Sequence, residues 1–467
     1  MIWAFLLLLA SAPVEDIEEQ IRRFAQLYAL VEEQAADPVN PETAFYQGAI
    51  PGALRRLDPH SVFFDPQQFE QLKELQKSTR KGFGSIVSVM PGRVIVLQTM
   101  PGTPSARSGI APGDEILAIN GYRLEYLDMD QLAALLGQSR QQQARLDVRR
   151  PGSARILEFV MTPEEMQSPS VERRYVLAGG IAYLRVGSFD ASTGRELREA
   201  IEQMGGSRLK GMVLDLRNNP GGVLEAALDT AALFLKPGEK LLSIKGRKTE
   251  QKEITIPDGA PPPYTFPVAV LINGRSASAS EIVAGALQDH GRGKVVGERS
   301  FGKGLVESVY PLSNGTGLAL TTAFYYTPSG RSIQRPLPGS ALAGSVAAET
   351  GGVQPDVTVA PEPQTRLRIA IEATGSLASF ATEFLRSKPD IGDSFEVPSQ
   401  LLDRFRVFLS ERNIQPGIGE WSRDQEWMRS RLKQEILNQA VSVERGDELE
   451  VNRDPAVLAA LGAVGGR

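Results

Sequence analysis

The 467-residue chain contains no cysteine and only two histidines, His60 and His290. The absence of cysteine excludes disulfides, thiol catalysis and cysteine-bound metals. Two histidines leave almost no material for a histidine-dependent catalytic triad or a multi-histidine zinc site. The formal net charge is -5, so no overall basic field favours binding to nucleic acid. Beyond the first residues, no stretch is apolar enough to cross a membrane.

The chain begins with an apolar run, Ile2 to Ala10, of about the length found in signal peptides. Ala10-Ser11-Ala12 follows as a small-residue cleavage site, although no lysine or arginine precedes the run. A buried N-terminal helix is the alternative, and the run is too short to span a bilayer. We predict that residues 1–12 are a signal peptide and that the protein is exported. A bacterial-type periplasm or cell envelope, with or without membrane association, is the expected location.

The most informative stretch surrounds Ser278. Val268–Ile272 is an apolar run typical of a short buried strand, and Asn273-Gly274 predicts a turn after it. Small residues then lead through Ser278 into a predicted helix, Glu281–Leu287. A strand, a sharp turn and a helix can present a serine hydroxyl at the edge of a sheet, with a helix N-terminus behind it. The alternative is that Ser278 only caps the helix, because Ser278-x-x-Glu281 is also a capping box.

A second candidate is Lys303, which stands between Gly302 and Gly304. Glycine permits a tight backbone that could bring the lysine amine into a cleft. A lysine removed from water loses its proton more easily and can act as a general base for a serine. The alternative is an ordinary solvated surface charge.

Together these segments resemble the core of the carboxyl-terminal processing proteases, also called tail-specific proteases, which use a Ser-Lys catalytic pair. The family pattern is Ser-Ala-Ser-Ala-Ser-Glu, a helix ending in Gln-Asp, and Phe-Gly-Lys-Gly, matched here by Ser276–Glu281, Gln288-Asp289 and Phe301–Gly304. The resemblance implies that Ser278 is the nucleophile, Lys303 its base and Asp289 a supporting catalytic residue. It also implies a serine endopeptidase that requires neither metal nor cofactor.

The chain departs from the family at Glu307, where a glutamine that helps to orient the lysine often stands. A carboxylate near Lys303 would favour the charged ammonium and weaken the lysine as a base. Low, switched or pH-shifted activity is therefore one expectation. A catalytically silenced peptide-binding or scaffold relative is the alternative function.

A third element, Asp215 to Gly222, reads Asp-Leu-Arg-Asn-Asn-Pro-Gly-Gly after a predicted buried strand and again resembles the family. The resemblance implies that a glycine N–H, from Gly221 or Gly222, forms an oxyanion hole together with the N–H of Ala279. Donors placed where negative charge develops are often the largest contribution to catalysis. A tight turn that needs glycine is the structural alternative and is compatible with this role.

Residues 78–165 are predicted to form a separate small domain. Gly113-Asp-Glu-Ile-Leu-Ala-Ile-Asn-Gly121 resembles the central signature of PDZ domains, which add a peptide to a sheet edge and bind its terminal carboxylate through backbone N–H groups. The resemblance implies a peptide-binding set made of Gly82, Phe83, Gly84, Ser85, Ile86, Leu132 and Leu136. For the two leucines, membership of the domain core is an equal alternative.

Apolar residues outside these motifs outline the remaining regions. Helical spacing predicts helices in residues 13–77 and 364–467, and alternating strand and helix patterns in 166–363 predict a mixed sheet. The predicted fold class is therefore multidomain α/β, with a crotonase-like protease core, an inserted β-rich PDZ domain and helical N- and C-terminal regions. The crotonase-like character of the core follows from the resemblance alone. His60 is assigned a local turn role.

The expected partners are unfolded or loose-tailed proteins bound through their C-termini, with no nucleic acid. An activating partner and a homodimer through the helical termini stay open. A penicillin-interacting serine enzyme is a weaker rival, because Ser78-Thr-Arg-Lys81 matches Ser-x-x-Lys but Lys248-Thr249 is followed by Glu250 instead of glycine.

Overall fold

The computed structural model describes residues 14–75, 79–90, 92–150, 153, 155–167, 169–248, 251–337, 351–387 and 390–465. The predicted signal peptide lies outside these residues, as does Ser78 of the Ser-x-x-Lys match. Within the described chain, none of the helices combines the length and apolarity needed to cross a membrane.

The α-helices of the described chain are interspersed with strands up to residue 358 and then follow one another. In chain order they are α1 Val14–Gln34, α2 Ile50–Leu57, α3 Pro66–Leu75, α4 Pro104–Ser108, α5 Met129–Ser139, α6 Thr193–Gln203, α7 Leu224–Ala232, α8 Ala279–Asp289, α9 Arg366–Ala373, α10 Ser376–Leu385, α11 Ser399–Ser410, α12 Ile418–Ala440, α13 Val443–Val451 and α14 Pro455–Ala463.

The strands build a small β-rich domain and a larger α/β core. They are β1 Val62–Phe64, β2 Thr79–Gly82, β3 Ser85–Met90, β4 Arg93–Thr99, β5 Glu115–Ile119, β6 Tyr122–Arg123, β7 Ala144–Arg149, β8 Ile156–Met161, β9 Glu164–Gln167, β10 Val171–Leu177, β11 Ile181–Val186, β12 Gly211–Asp215, β13 Lys240–Lys245, β14 Lys252–Thr255, β15 Val268–Ile272, β16 Gly293–Gly297, β17 Leu305–Pro311, β18 Gly317–Tyr326 and β19 Val357–Thr358.

The chain divides into two compact units. The smaller unit takes the described residues up to Glu70, with 307–321 and 337. In it, β1 pairs antiparallel with the start of β18. Buried Asp58 accepts hydrogen bonds from the backbone N–H groups of His60 at 2.7 Å and Ser61 at 2.8 Å. His60 thus takes part in a local turn through its backbone.

The larger unit contains a six-stranded sheet in the order β10-β11-β12-β15-β16-β19. All neighbours are parallel except β10, which is antiparallel to β11. Strands with both faces covered need continuous apolar runs, and β15, as predicted from Val268–Ile272, is fully buried. One face packs on α6, α7 and α8, and the other packs on α14.

Three loops leave the carboxyl ends of neighbouring parallel strands. The Asp-Leu-Arg-Asn-Asn-Pro-Gly-Gly segment follows β12, the turn that contains Ser278 follows β15, and the Phe-Gly-Lys-Gly segment follows β16. Because parallel strands end at the same edge of a sheet, these three segments meet there, in the usual position for ligand sites in open α/β sheets.

The β-rich domain has a second sheet in the order β3-β4-β5-β7-β8, with β6 paired to β5. Its core holds Val94, Val96, Ile116, Leu132 and Val148. The antiparallel pair β2–β9 joins the segments that enter and leave this domain.

The C-terminal helices α9 to α12 share a separate apolar core that includes Phe380, Phe405 and Leu432. The break between α9 and α10 lies at Gly375, which has a φ of 58° and closely approaches Met90 of the β-rich domain. The region 364–467, predicted to be helical, also contains α13 and α14.

Candidate active site

Ser278 adopts a strained backbone conformation at the start of α8. Its φ is 53° and its ψ is -113°, in a region that a side chain with a Cβ rarely occupies. Such strain costs roughly 1–3 kcal/mol and persists only where the surroundings hold it. The Ser278 carbonyl accepts the N–H groups of Glu281 at 2.8 Å and Ile282 at 3.0 Å, so the backbone closes the first helical turn. The segment is a sharp strand-to-helix turn with a serine at its apex.

The turn around Ser278 is tied to the loop after β12. The carbonyl of Asn219 accepts the Ala277 N–H at 3.0 Å and the Ser280 hydroxyl at 3.1 Å. The Asn273 and Asn218 side chains also face each other, with Asn273 Nδ2 donating to Asn218 Oδ1 at 3.0 Å. These bonds fix the glycines of the loop relative to the serine.

Gly221 lies directly against the candidate nucleophile. A Cβ on Gly221 would lie 2.9 Å from the Ser278 Cβ and 3.0 Å from the Ala279 nitrogen, so only glycine fits. The Gly221 N–H donates to Asn219 Oδ1 at 2.8 Å. Among the described residues, nothing accepts a hydrogen bond from the N–H of Gly222 or of Ala279.

The carboxylate of Glu281 joins the serine turn to the lysine loop. Its Oε2 accepts the N–H of Ser278 and the N–H of Lys303, each at 2.9 Å. Its Oε1 accepts the Gly302 N–H at 2.7 Å and the Ser300 hydroxyl at 2.5 Å. The backbone nitrogens of Ser278 and Lys303 therefore share one oxygen atom, and their residues lie side by side.

The comparisons with known proteins identify the family to which the chain belongs. The model of peptidase family S41 matches residues 180–359, and a PDZ domain model matches residues 95–150. The carboxy-terminal-processing protease of Bartonella bacilliformis is 35% identical over 326 residues, which cover 68% of this chain and 74% of that protein. This chain belongs to the carboxy-terminal-processing proteases of peptidase family S41. It is a serine peptidase with a PDZ domain.

Two further proteins show the range of the similarity. The carboxyl-terminal-processing protease of Synechocystis sp. is 34% identical over 62% of this chain and 68% of its own length. The solved structure of a photosystem II D1 C-terminal processing protease is 26% identical, covers 73% of this chain and 87% of its own, and superposes with a TM-score of 0.41.

Asp289 lies at the far end of α8 from Ser278, which places its backbone roughly 16 Å away at 1.5 Å per residue. Its carboxylate pairs with Arg331 and accepts the Ser329 N–H at 2.9 Å. Burial acts to raise the pKa of Asp289, but hydrogen bonds from Thr327 and Ser329 outweigh it and hold that pKa below its ordinary value. In this position Asp289 anchors the helix end and does not reach the serine hydroxyl.

Glu307, the residue that departs from the family pattern, lies on β17 and is half-buried. It belongs to the smaller unit, whereas Lys303 belongs to the larger one. Its predicted effect on the lysine stays a prediction.

The predicted peptide-binding residues of the protease fall into two groups. β3 is the last strand of its sheet, and Ile86 on it is 39% exposed. Phe83 and Gly84 form the turn before it, Ser85 is its first residue, and Gly82 ends β2.

The two leucines of α5 differ from each other. Leu132 has no exposed surface and packs in the core of the β-rich domain, so the prediction that it contacts a peptide is wrong for this structure. Leu136 is half-buried at the edge of the same core. Helical spacing placed both on one face, and burial depth could not be read from that spacing.

The sequence missed an ionic cluster that braces the loop after β12. Arg217 binds buried Asp215 through Nη2 at 2.6 Å and Asp454 through Nη1 at 2.6 Å. Burial acts to raise the pKa of Asp215, but hydrogen bonds and charge from Arg217 dominate and lower it. Asp454 caps α14 by accepting the Ala456 N–H at 2.8 Å. The Asp454-Pro455 pair before an apolar run is a helix-start signal that could have revealed α14.

A cavity of about 630 Å³ opens beside this cluster, between the strand ends and the C-terminal helices. Its lining includes Arg185, Arg217, Asn218 and Asn273, but neither Ser278 nor Lys303. The cavity therefore borders the loops that support the candidate site without containing it.

Glu281 gives a first prediction. Replacing it in the Glu281→Gln variant exchanges one acceptor oxygen for an NH₂ group that faces donors, and bonds to a charged acceptor contribute about 1.5–3 kcal/mol each. We expect kcat to fall roughly 10- to 1,000-fold. The comparison is made with Glu225→Gln, an exposed change on α7, by assays of peptide hydrolysis.

The pH dependence of activity, compared between the wild type and Glu281→Gln, shows whether the negative charge of Glu281 is needed in addition to its shape. Burial raises the pKa of Glu281, and its four hydrogen bonds offset this only in part, so protonation begins at a higher pH than for an ordinary glutamate. Activity should therefore fall as the pH drops through that pKa, and the fall should be absent in Glu281→Gln. The pKa of Glu281 is higher in the folded protein than in the unfolded chain. Its contribution to the free energy of unfolding therefore decreases as the pH rises from the unfolded-state pKa to the folded-state pKa. An identical acid limb in both proteins would contradict the assignment.

Proposed function

We propose that the protein is a Ser-Lys endopeptidase that recognises the C-terminal tails of exported proteins through its PDZ domain and cleaves those proteins. The observation that carries the proposal is the shared Glu281 oxygen, which brings Ser278 and Lys303 side by side. The other predicted elements, the two glycines and Ala279, lie at the same turn.

In the proposed reaction, Ser278 Oγ attacks the peptide carbonyl carbon while Lys303 Nζ takes the hydroxyl proton. The C–N bond then breaks, and the leaving amine receives that proton from Lys303. A water molecule gives a proton to Lys303 and attacks the acyl-enzyme ester. The peptide acid leaves, and Ser278 regains its proton.

The oxyanion of the tetrahedral intermediate needs preorganised donors, each of which contributes about 2.7–4 kcal/mol. We assign the Ala279 N–H to this role, because it lies at the N-terminus of α8 and has no acceptor among the described residues. The second donor is a glycine. The N–H of Gly222 has no acceptor in the described structure, whereas the N–H of Gly221 would first have to break its hydrogen bond to Asn219 Oδ1.

Tail recognition is assigned to the turn before β3 and to the free edge of that strand. The carbonyls of Phe83 and Gly84 accept the N–H groups of Ser105 and Met100, each at 2.8 Å. Within the described chain, the N–H groups of Phe83 and Gly84 have no acceptor of their own, and they could bind a terminal carboxylate. An apolar tail would then extend along β3 past Ile86, with Leu136 as a further apolar contact.

The matching experiment uses one unfolded substrate in two forms, with a free apolar C-terminus and with the same C-terminus amidated. Loss of the carboxylate removes charge-assisted hydrogen bonds, so we expect kcat/KM to fall about 10- to 100-fold, mainly through KM. Equal kcat/KM for both forms would exclude carboxylate recognition while leaving the peptidase proposal intact. Cleavage of an amidated, polar-tailed form serves as the baseline.

Three further parts of the proposal concern the whole molecule. The repeated strand and helix order from β11 to β16 supports a crotonase-like core. Export with loss of residues 1–12 would be shown by N-terminal sequencing of the mature protein.

The exposed apolar stripe of α1, which includes Ile17, Ile21 and Leu27, supports a homodimer through the helical termini, to be tested by sedimentation.

A further inference from the structure

The hydroxyl of Tyr325 contacts both candidate catalytic residues. Tyr325 lies on β18, one residue before its end, and is only 3% exposed. Its Oη lies 3.1 Å from the main-chain carbonyl oxygen of Ser278 and 2.5 Å from that of Lys303, so its single proton is donated to both in a bifurcated hydrogen bond whose shorter arm goes to Lys303. A single phenol therefore bridges the two loops that follow β15 and β16.

The backbone of the same tyrosine holds the lysine loop a second time. The Tyr325 N–H donates to the Gly304 carbonyl at 2.9 Å, so β18 contacts the residue after Lys303 as well. Glu281 binds the peptide group before each of the two residues, because it accepts the N–H groups of Ser278 and Lys303, whereas the tyrosine hydroxyl binds the peptide group after each. The N–H and the C=O of both residues are thus held by two buried side chains.

The tyrosine hydroxyl keeps its proton under all ordinary conditions. Burial, and then the charge of the nearby Glu281 carboxylate, raise the pKa of Tyr325 well above its usual value. The group can therefore serve as a constant donor and is not suited to act as a base.

We propose that Tyr325 is a positioning residue for the reaction, whose hydroxyl fixes the separation of Ser278 and Lys303 by bonding to the main-chain carbonyl of each. This inference rests on the roles proposed above for those two residues. The same bond supports the strained conformation of Ser278, in which a carbonyl is turned toward β18. Without the hydroxyl, the ring still fills its place in the core, but the two loops lose a common donor.

The test is the Tyr325→Phe variant, which removes one oxygen atom and leaves the ring. The matched control is Tyr326→Phe, the same change on the next residue of β18, whose ring lies under Lys245 Nζ. We expect Tyr325→Phe to lower kcat about 10- to 100-fold with KM changed less than about threefold. The rate at which a fluorophosphonate labels Ser278 should fall by the same factor, and the control should resemble the wild type in both measurements.

Thermal unfolding of both variants accompanies the kinetics, because a purely structural tyrosine would alter the melting temperature and not the labelling rate. Wild-type kcat and labelling in a folded Tyr325→Phe protein would overturn the inference. Ser278→Ala is measured in parallel to separate the two levels of the proposal. If that variant retained activity, the assignment of the nucleophile would fail. If it is inactive while Tyr325→Phe is normal, only the positioning role fails.

Discussion

The Ser278→Ala variant is expected to lose at least about 10⁴-fold in kcat, which in practice means no detectable fragments from an unfolded substrate. Removal of a serine nucleophile leaves only binding and the oxyanion hole, and these supply a small residue of the total rate enhancement. The hydroxyl is small and the backbone strain at φ 53° is unchanged, so the variant should fold. Mass spectrometry of the digest, with wild type and variant purified identically, measures the loss.

Two comparisons make this result specific. Ser207→Ala, at an exposed position of the same unit, should cleave like the wild type. A fluorophosphonate should add to wild type and to Ser207→Ala at a single serine, and not to Ser278→Ala. Fragments at equal rates from wild type and Ser278→Ala would mean that another residue is the nucleophile or that a contaminating protease is present.

The Lys303→Met variant is expected to lose about 10²- to 10⁴-fold in kcat, the usual contribution of a general base. Methionine keeps most of the aliphatic stem and removes the amine, so the loop between Gly302 and Gly304 should keep its hydrogen bonds to Glu281 and Gln334. Substrate KM should change little. Lys294→Met, an exposed lysine on β16, is the matched control.

The pH profile gives the second measurement. With Lys303 as base, the rate of the wild type should rise toward alkaline pH, and this rise should be missing in Lys303→Met. The Glu307→Gln variant tests the departure from the family pattern, and its rate should exceed that of the wild type if the carboxylate weakens Lys303 as a base. A Glu307→Gln profile that coincides with the wild-type profile would show that the carboxylate does not act on Lys303.

Much of the core was predictable because its signals are local. Val268–Ile272 is buried as a strand, and the helix predicted over Glu281–Leu287 extends from Ala279 to Asp289. The observed helix is two residues longer at each end than the predicted one. Its first turn beside Ser278 and its last turn at Asp289 are held by hydrogen bonds to segments distant in sequence.

The C-terminal helices show where local signals failed. Within the predicted helical region 364–467, α9 and α10 are separate helices, because Gly375 with its positive φ packs against Met90 from a distant domain. The short apolar α14 has no polar face, since it covers one side of the core sheet. A periodicity analysis does not detect such a helix, because its exposed side is also apolar, as at Leu458, and no polar face alternates with the buried one.

The sequence alone determined which groups this protein offers for catalysis and binding: a serine in a strand-turn-helix segment, a lysine between glycines, a glycine pair after a buried strand and a PDZ signature, all in order along one chain. The tertiary structure decided which groups meet. The adjacency of β12, β15 and β16, the four donors on Glu281, the bridge made by Tyr325 and the brace from Arg217 to Asp454 all join residues distant in sequence. Hydrogen bonds of this kind depend on positions in space, and no spacing along the chain encodes them.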